Sequence, residues 1–278
     1  IELSGGKTDP AKIRKAAEEL AAVIVQSPNY FGVIEDLKQA AECAKDSGAL
    51  SVACVDPISL GILRPPGDCG IDIAVGEGQS LGNPLSFGGP HFGFLAVKKP
   101  LMRKVPGRIV GQTVDHDGRR GFVLTLQARE QHIRREKAVS NICSNQSLNA
   151  LAAAVYMSVM GKKGLVKVAK LCFDKAHYAY RKLIETGKFA PVFDAPFFKE
   201  FTVRALDEPV SEINKRLLRN RIMGGLDLGA GRFGINTGAA CSADGNGGME
   251  NCWLVAVTEK RTRQEIDRFV EIAAGGGK

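Results

Sequence analysis

Ala22 to Pro57 reads AVIVQSPNYFGVIEDLKQAAECAKDSGALSVACVDP, and its changes of period decide the fold. Ala22-Val23-Ile24-Val25 is a short unbroken apolar run, the pattern of a strand covered on both faces. Ser27-Pro28-Asn29 supplies turn chemistry. From Ile34 to Asp46 the spacing becomes helical, with Leu37, Ala40, Ala41 and Ala44 on one face, and Gly48 stops it. Ala49 to Val55 is a second buried strand, ending at Asp56. Strand, helix and strand joined by short turns predict an α/β protein with a mostly parallel, doubly wound sheet.

Working outward, Asp9-Pro10 starts a helix over Ala11 to Ala21, with proline where a missing N–H costs nothing. Ile71 to Val75 and Phe92 to Val97 read as further strands. A doubly wound sheet that opens with one helix and one strand is expected to lack earlier strands, so the sheet reads as N-terminally truncated. Gln146 to Met160 and Leu165 to Ile184 are long helices interrupted at Gly161. The pattern changes over Gly187 to Pro196. Phe197 to Val203 (strand), Val210 to Ile222 (helix), Cys252 to Thr258 (strand) and Thr262 to Ala273 (helix) then form a small α+β unit. Two domains are expected, 1–190 and 191–278, with an exposed glycine-rich loop over Gly224 to Gly248 and a frayed end at Gly275 to Lys278.

The 278 residues are 44% hydrophobic and 24% charged, which suits a globular chain with a sizeable core. No apolar run reaches the ~18 residues of a membrane span, and Ile1 to Gly6 lacks the blocks of a signal peptide. The 7 cysteines are scattered and never spaced as CxxC, which points to free thiols in a reducing cytoplasm. Four histidines without an HxxxH or HExxH spacing argue against a metal enzyme. The net charge of +8 is spread in small bunches without a basic tail or interleaved aromatics. That is a solvated basic surface, suited to an acidic partner and not to nucleic acid.

In a parallel sheet the site lies at the carboxyl ends of the strands. Asp56 falls there, as does the glycine-rich Gly76 to Gly89. A strand-end carboxylate can hold a protonated ring nitrogen, and glycines let backbone amides approach a phosphate. The same residues could equally cap a turn and build tight bends.

Longer motifs narrow the choice: SPNYFGVIED (Ser27 to Asp36), VDPISLG (Val55 to Gly61), RPPGDCGID (Arg64 to Asp72), GEGQSLGNPLSFGGP (Gly76 to Pro90) and PGRIVG (Pro106 to Gly111). Two more are LQAREQHIRREKAVSNICSNQ (Leu126 to Gln146) and NCWLVAVTEKRT (Asn251 to Thr262). On these, over nearly its whole length, the chain resembles glycine decarboxylase, the P-protein of the glycine cleavage system, and within it the alpha subunit of the two-chain form. The resemblance implies a fold-type I pyridoxal-phosphate-transferase-like sheet with a small C-terminal domain. It implies an enzyme complex that decarboxylates glycine with pyridoxal phosphate held covalently by a beta subunit, and passes the aminomethyl group to the lipoyl arm of H-protein.

Laid on the family's cofactor pattern, Asp56 matches the aspartate and Gly88-Gly89-Pro90 the glycine run. Gln79 stands where the Schiff-base lysine belongs. An amide nitrogen cannot form an imine, so no catalytic residue is expected in this chain. Asp56, Gln79, Gly88, Gly89 and His91 are expected to form a degenerate or shared site. Lys98, Lys99 and Lys137 read as solvated or salt-bridged, not as substitutes. In the charged segment from Arg129 to Lys137, Glu130–Arg134 and His132–Glu136 would pair on a helix. The resemblance makes Arg129, His132, Arg134 and Arg135 candidates for contact with the partner or carrier. The rival readings are an independent pyridoxal-phosphate enzyme of the same superfamily, which Gln79 opposes, and a non-enzymatic binding module.

Overall fold

The computed structural model describes residues 3–15, 20–138, 146–229 and 248–276. A two-stranded ladder, β1 (Leu3–Ser4) with β2 (Lys7–Thr8), leads into the short helix α1 (Pro10–Lys15). Then come β3 (Ala22–Ser27), α2 (Leu37–Asp46), β4 (Leu50–Val55), β5 (Ile73–Glu77) and β6 (Gly93–Val97). They form one sheet in the order β3-β4-β5-β6. β3, β4 and β5 are parallel, with Val25 opposite Ala53 and Cys54 opposite Val75. β6 runs antiparallel to β5, with Val75 opposite Leu95. The expected strand over Phe92 to Val97 is present as β6, and the sheet is mostly parallel, as expected, with β6 its antiparallel member. The connection over residues 78–92 contains turns and no crossover helix, and it returns the chain antiparallel beside β5.

α2 starts later than its apolar period suggested because Asp36 accepts the Gln39 amide at 3.0 Å and fixes the cap there. Glu35, just before the cap, is buried and accepts from the Thr8 and Asn29 side chains. The apolar face of α2 closes on β3 and β4, where Val23, Val25, Leu37, Ala40, Ala44, Ala53 and Val55 form one core.

β7 (Ile109–Val114) and β8 (Arg120–Thr125) form a separate hairpin, and the short helix α3 (Gln131–Arg134) follows it. The long helix α4 (Ser147–Glu185) breaks its helical dihedrals at Gly161, as the sequence spacing predicts. The C-terminal unit comprises β9 (Phe189–Pro191), β10 (Glu200–Ala205), α5 (Val210–Arg219), β11 (Leu226–Asp227), β12 (Cys252–Ala256) and α6 (Arg263–Ala273). Its sheet runs β11-β12-β10-β9 and every pairing is antiparallel.

The last part of α4, with α5 and α6, covers this sheet. Leu183, Phe201, Val203, Ile213, Leu217, Trp253 and Ile266 share its core. Thr262 and Glu265 form a reciprocal capping box that starts α6. Most of the expected Gly224–Gly248 loop lies outside the described residues, as do Cys143 and Cys241.

The two units meet along the segment before β10. Phe197 bridges Val33, Ile34 N donates to the Pro196 carbonyl at 2.8 Å, and Thr202 Oγ1 donates to the Phe31 carbonyl. Gly32 allows the approach: it has φ +85, and a Cβ there would be driven into the Glu200 carbonyl. This contact brings residues 199 and 200 to the carboxyl ends of β3 and β4.

Candidate functional site

The carboxyl ends of the three parallel strands open onto a cavity of about 290 Å³ lined by Gln26, Pro28, Asp56, Glu77, Gln79 and Lys199, among others. A larger cavity of about 550 Å³ lies on the C-terminal unit beside Met223, Leu254 and Phe269. We assign the site to the smaller one, because the strand ends and the titratable groups converge there.

Asp56 uses its two carboxylate oxygens differently. Oδ1 accepts the Ile58 amide at 3.0 Å, and the Asp56 carbonyl accepts Ser59 Oγ at 2.7 Å, so the residue caps the turn after β4. Oδ2 lies 2.6 Å from Lys199 Nζ, with the two side chains 17% and 21% exposed. Oδ2 has no hydrogen bond of good angle despite its burial, so the contact acts as an ion pair, charge against charge. Of the two readings left open by the sequence, the turn cap is present, while the other carboxylate oxygen faces the ammonium of Lys199.

Gln79 begins the turn after β5. Its amide N–H donates to Glu77 Oε1 at 3.0 Å and its side-chain Nε2 to the Asn83 carbonyl at 2.5 Å, which folds the carboxamide back on its own loop. His91, at the far end of this loop, has Nε2 3.1 Å from the Leu85 carbonyl and Nδ1 3.9 Å from Glu77 Oε2. Gly88 and Gly89 lie further along the same loop with φ of 109° and 129°. Their amides donate to the carbonyls of Leu85 and Ser86, so they shape the turn. Gly76 and Gly78 serve close packing, since a Cβ on either would strike a ring, Phe94 or Phe92. Burial pushes the Glu200 carboxyl above its ordinary pKa, against the pull of Lys199 and with a further push from Asp56.

Asp56 and Gln79 thus line one cavity, whereas His91 is not among its lining residues and reaches its neighbour Glu77, at 3.9 Å, with Gly88 and Gly89 on the loop between Gln79 and His91. Arg129, His132, Arg134 and Arg135 lie on another element. Arg129 is only 7% exposed. Its guanidinium donates to the Val105 carbonyl and, at 2.7 Å, to the Gly107 carbonyl, closing the base of the β7–β8 hairpin. Glu130 turns to Arg108 (3.6 Å) instead of Arg134, because α3 spans only Gln131–Arg134. His132, Arg134 and Arg135 are exposed. Lys98 is tied to Asp72 at 2.8 Å and to the Gly70 carbonyl. Among the described residues no group of three or more His, Cys, Asp or Glu is placed to hold a metal.

The sequence reading missed Lys199 and Glu200. They follow Asp56 by well over a hundred residues, and no local signal marks them. Glu77, two residues before Gln79, was legible as a strand-end carboxylate.

Fold and site together define the class. A NifS-like protein from Rickettsia africae ESF-5 superposes with a TM-score of 0.64 at 12% identity, covering 98% of this chain and 67% of that one. The architecture is that of the fold-type I pyridoxal-phosphate enzymes, with a pocket at the strand ends. The family profile of the glycine cleavage system P-protein matches residues 4–245, and the chain belongs to that family. A crystal structure of glycine decarboxylase (P-protein) in inhibitor-bound form superposes with a TM-score of 0.84 at 43% identity, covering 98% of this chain and 58% of that chain. The probable glycine dehydrogenase (decarboxylating) subunit 1 of Moorella thermoacetica is 50% identical over 276 residues, 99% of this chain and 59% of its own length. The chain thus spans somewhat over half the length of the relatives it matches.

The residues of this cavity do not fit pyridoxal phosphate. At position 79 there is a carboxamide and no amine. The carboxylate that would meet a ring nitrogen already faces an ammonium. Asp56, Glu77 and Glu200 outnumber the single cation Lys199 on the wall, which disfavours a phosphate, and the glycine amides beyond Gln79 are engaged within their own loop.

Proposed function

We propose that this chain serves in the non-catalytic subunit of a two-chain glycine decarboxylase, that is, glycine dehydrogenase (aminomethyl-transferring). The complex takes glycine, releases its carboxylate as CO2 and hands the aminomethyl group to the lipoyl arm of H-protein. Pyridoxal phosphate supplies the electron sink when bound to the partner subunit, and this chain holds none covalently. Gln79, folded onto Asn83 at the position of the absent lysine, carries the reading.

A second observation supports a partner. The hairpin and the first half of α4 present Val110, Phe122, Leu124, Leu148, Leu151 and Val155 to solvent. Apolar side chains exposed in such number are what a protein interface covers. The arginines at 134 and 135, exposed and basic, suit an acidic carrier. No helix among the described residues is long and apolar enough to cross a membrane. Cys43, Cys54, Cys69 and Cys172 are free thiols, which suits the cytoplasm.

The test is co-expression with the beta-type subunit of the same organism, followed by affinity capture and a glycine–bicarbonate exchange assay. Exchange in the captured complex, and none in this chain alone, is the expected result. Exchange by this chain alone with added pyridoxal phosphate would overturn the reading.

A further inference from the structure

The ion pair at the strand end asks for more than a passive loss of the cofactor lysine. Asp56 sits at the carboxyl end of β4, and one of its oxygens is used to cap the turn after the strand. The other faces into the cavity, where a protonated ring nitrogen would have to stand. Lys199 Nζ stands there instead, 2.6 Å away, on a side chain delivered by a different folding unit. Nothing near in sequence requires this, because Lys199 lies immediately before β10. The segment that carries it is pinned by Phe197 on Val33 and by the close approach of Glu200 to Gly32.

We propose that Lys199 is a resident counter-ion that closes the vestigial cofactor pocket from within, by holding its ammonium on Asp56 in the place of a cofactor cation. Two consequences follow from the chemistry. The carboxylate has no free charge left to attract an outside ring nitrogen. In turn, a nitrogen held as an ammonium on a carboxylate has no lone pair to offer an aldehyde, so the lysine that fills the pocket is also kept from reacting there. Gln79 and Lys199 are then two independent blocks, one removing the amine and the other occupying its partner site. The pair also joins the C-terminal unit to the main sheet, since its two charges come from different units and both are largely buried. This deepens the reading of a non-catalytic chain and rests on it for the meaning of the pocket. Its test needs no partner subunit.

The probe is pyridoxal phosphate itself with borohydride, on the isolated chain, with trapped lysines located by mass spectrometry. In the wild type Lys199 should be trapped about ten-fold less than the exposed Lys163, as expected of a nitrogen that must first leave an ion pair. In Asp56→Asn, whose amide oxygen can still cap Ile58, trapping at Lys199 should rise to the level of Lys163. Equal trapping of the two lysines in the wild type overturns the proposal. So does Lys199 remaining untrapped in a folded Asp56→Asn, because burial alone would then protect it.

A second pair of variants covers the case of a misfolded Asp56→Asn. Lys199→Met should lower Tm by about 5 °C by leaving the Asp56 charge unpaired, while Lys199→Arg should melt close to wild type. An unchanged Tm in Lys199→Met overturns the proposal. Failure of the exchange assay in the assembled complex would count against the subunit assignment and leave these results standing.

Discussion

Arg129→Met tests whether the charged segment after the hairpin is scaffold or docking surface. The wild-type guanidinium is buried and donates to two carbonyls, Val105 and Gly107, which enter β7, while Arg129 itself follows β8. It therefore ties the two legs of the hairpin at their base. Hydrogen bonds from an ionised donor contribute about 1.5–3 kcal/mol each. Val105 and Gly107 are half-exposed and their carbonyls can recover water, so each bond contributes nearer the ~1 kcal/mol of an ordinary protein hydrogen bond, and methionine keeps the apolar stem in place. We take about 2 kcal/mol for the pair of bonds. At 1.4 kcal/mol per decade that is roughly a thirty-fold rise in local opening.

Native-state amide exchange reads this directly. The ladder amides of Ile109–Val114 and Arg120–Thr125 should exchange about thirty-fold faster, while those of β10 and β12 stay as they were. Exchange in the hairpin within about two-fold of wild type would refute the reasoning. Equal acceleration by Arg134→Ala would refute it too, since that side chain is exposed and should change stability by less than about 0.5 kcal/mol.

The exposed arginines make the complementary case: in a reconstituted complex, Arg134→Ala with Arg135→Ala should raise the apparent KM for the carrier, an effect that shrinks as salt is added. A lowered exchange rate at saturating carrier would instead assign them to pocket loops held by charge-assisted hydrogen bonds. Asp72 predicts an acid limb: burial works against its carboxylate, but bonds from Lys98 and from the Ser51 amide and hydroxyl more than offset this and hold its pKa below the ordinary aspartate value. A lowered folded-state pKa contributes stability present above the unfolded value and lost as pH falls through the folded one. Urea unfolding followed downward from neutral pH should lose part of its free energy below the ordinary carboxylate range, and Asp72→Asn should flatten that limb; an unchanged slope would show that the network contributes nothing.

The sequence by itself determined the class of fold. Buried parallel strands are unbroken apolar runs and amphipathic helices repeat at their own period, so β3, α2 and β4 could be read from Ala22 to Val55 within a few residues. That residue 79 is a glutamine, with no amine to offer, is a covalent fact that no folding can alter. The β7–β8 hairpin could have been found from Asp117-Gly118, a turn signal between two apolar-rich runs, but its side chains are largely exposed, so no burial pattern framed it. The direction of β6 stayed hidden because pairing direction is a property of the connection, not of the strand. Arg129 and Arg134 carry the same charge in the same motif, and only packing separates a buried clasp from an exposed cation. Lys199 is the clearest instance. Its neighbours in the chain say nothing of Asp56, and the charge that fills the pocket arrives only when the segment before β10 packs against Gly32 and Val33. Local period and residue chemistry are written along the chain, whereas a contact between distant residues exists only once the two sheets have met.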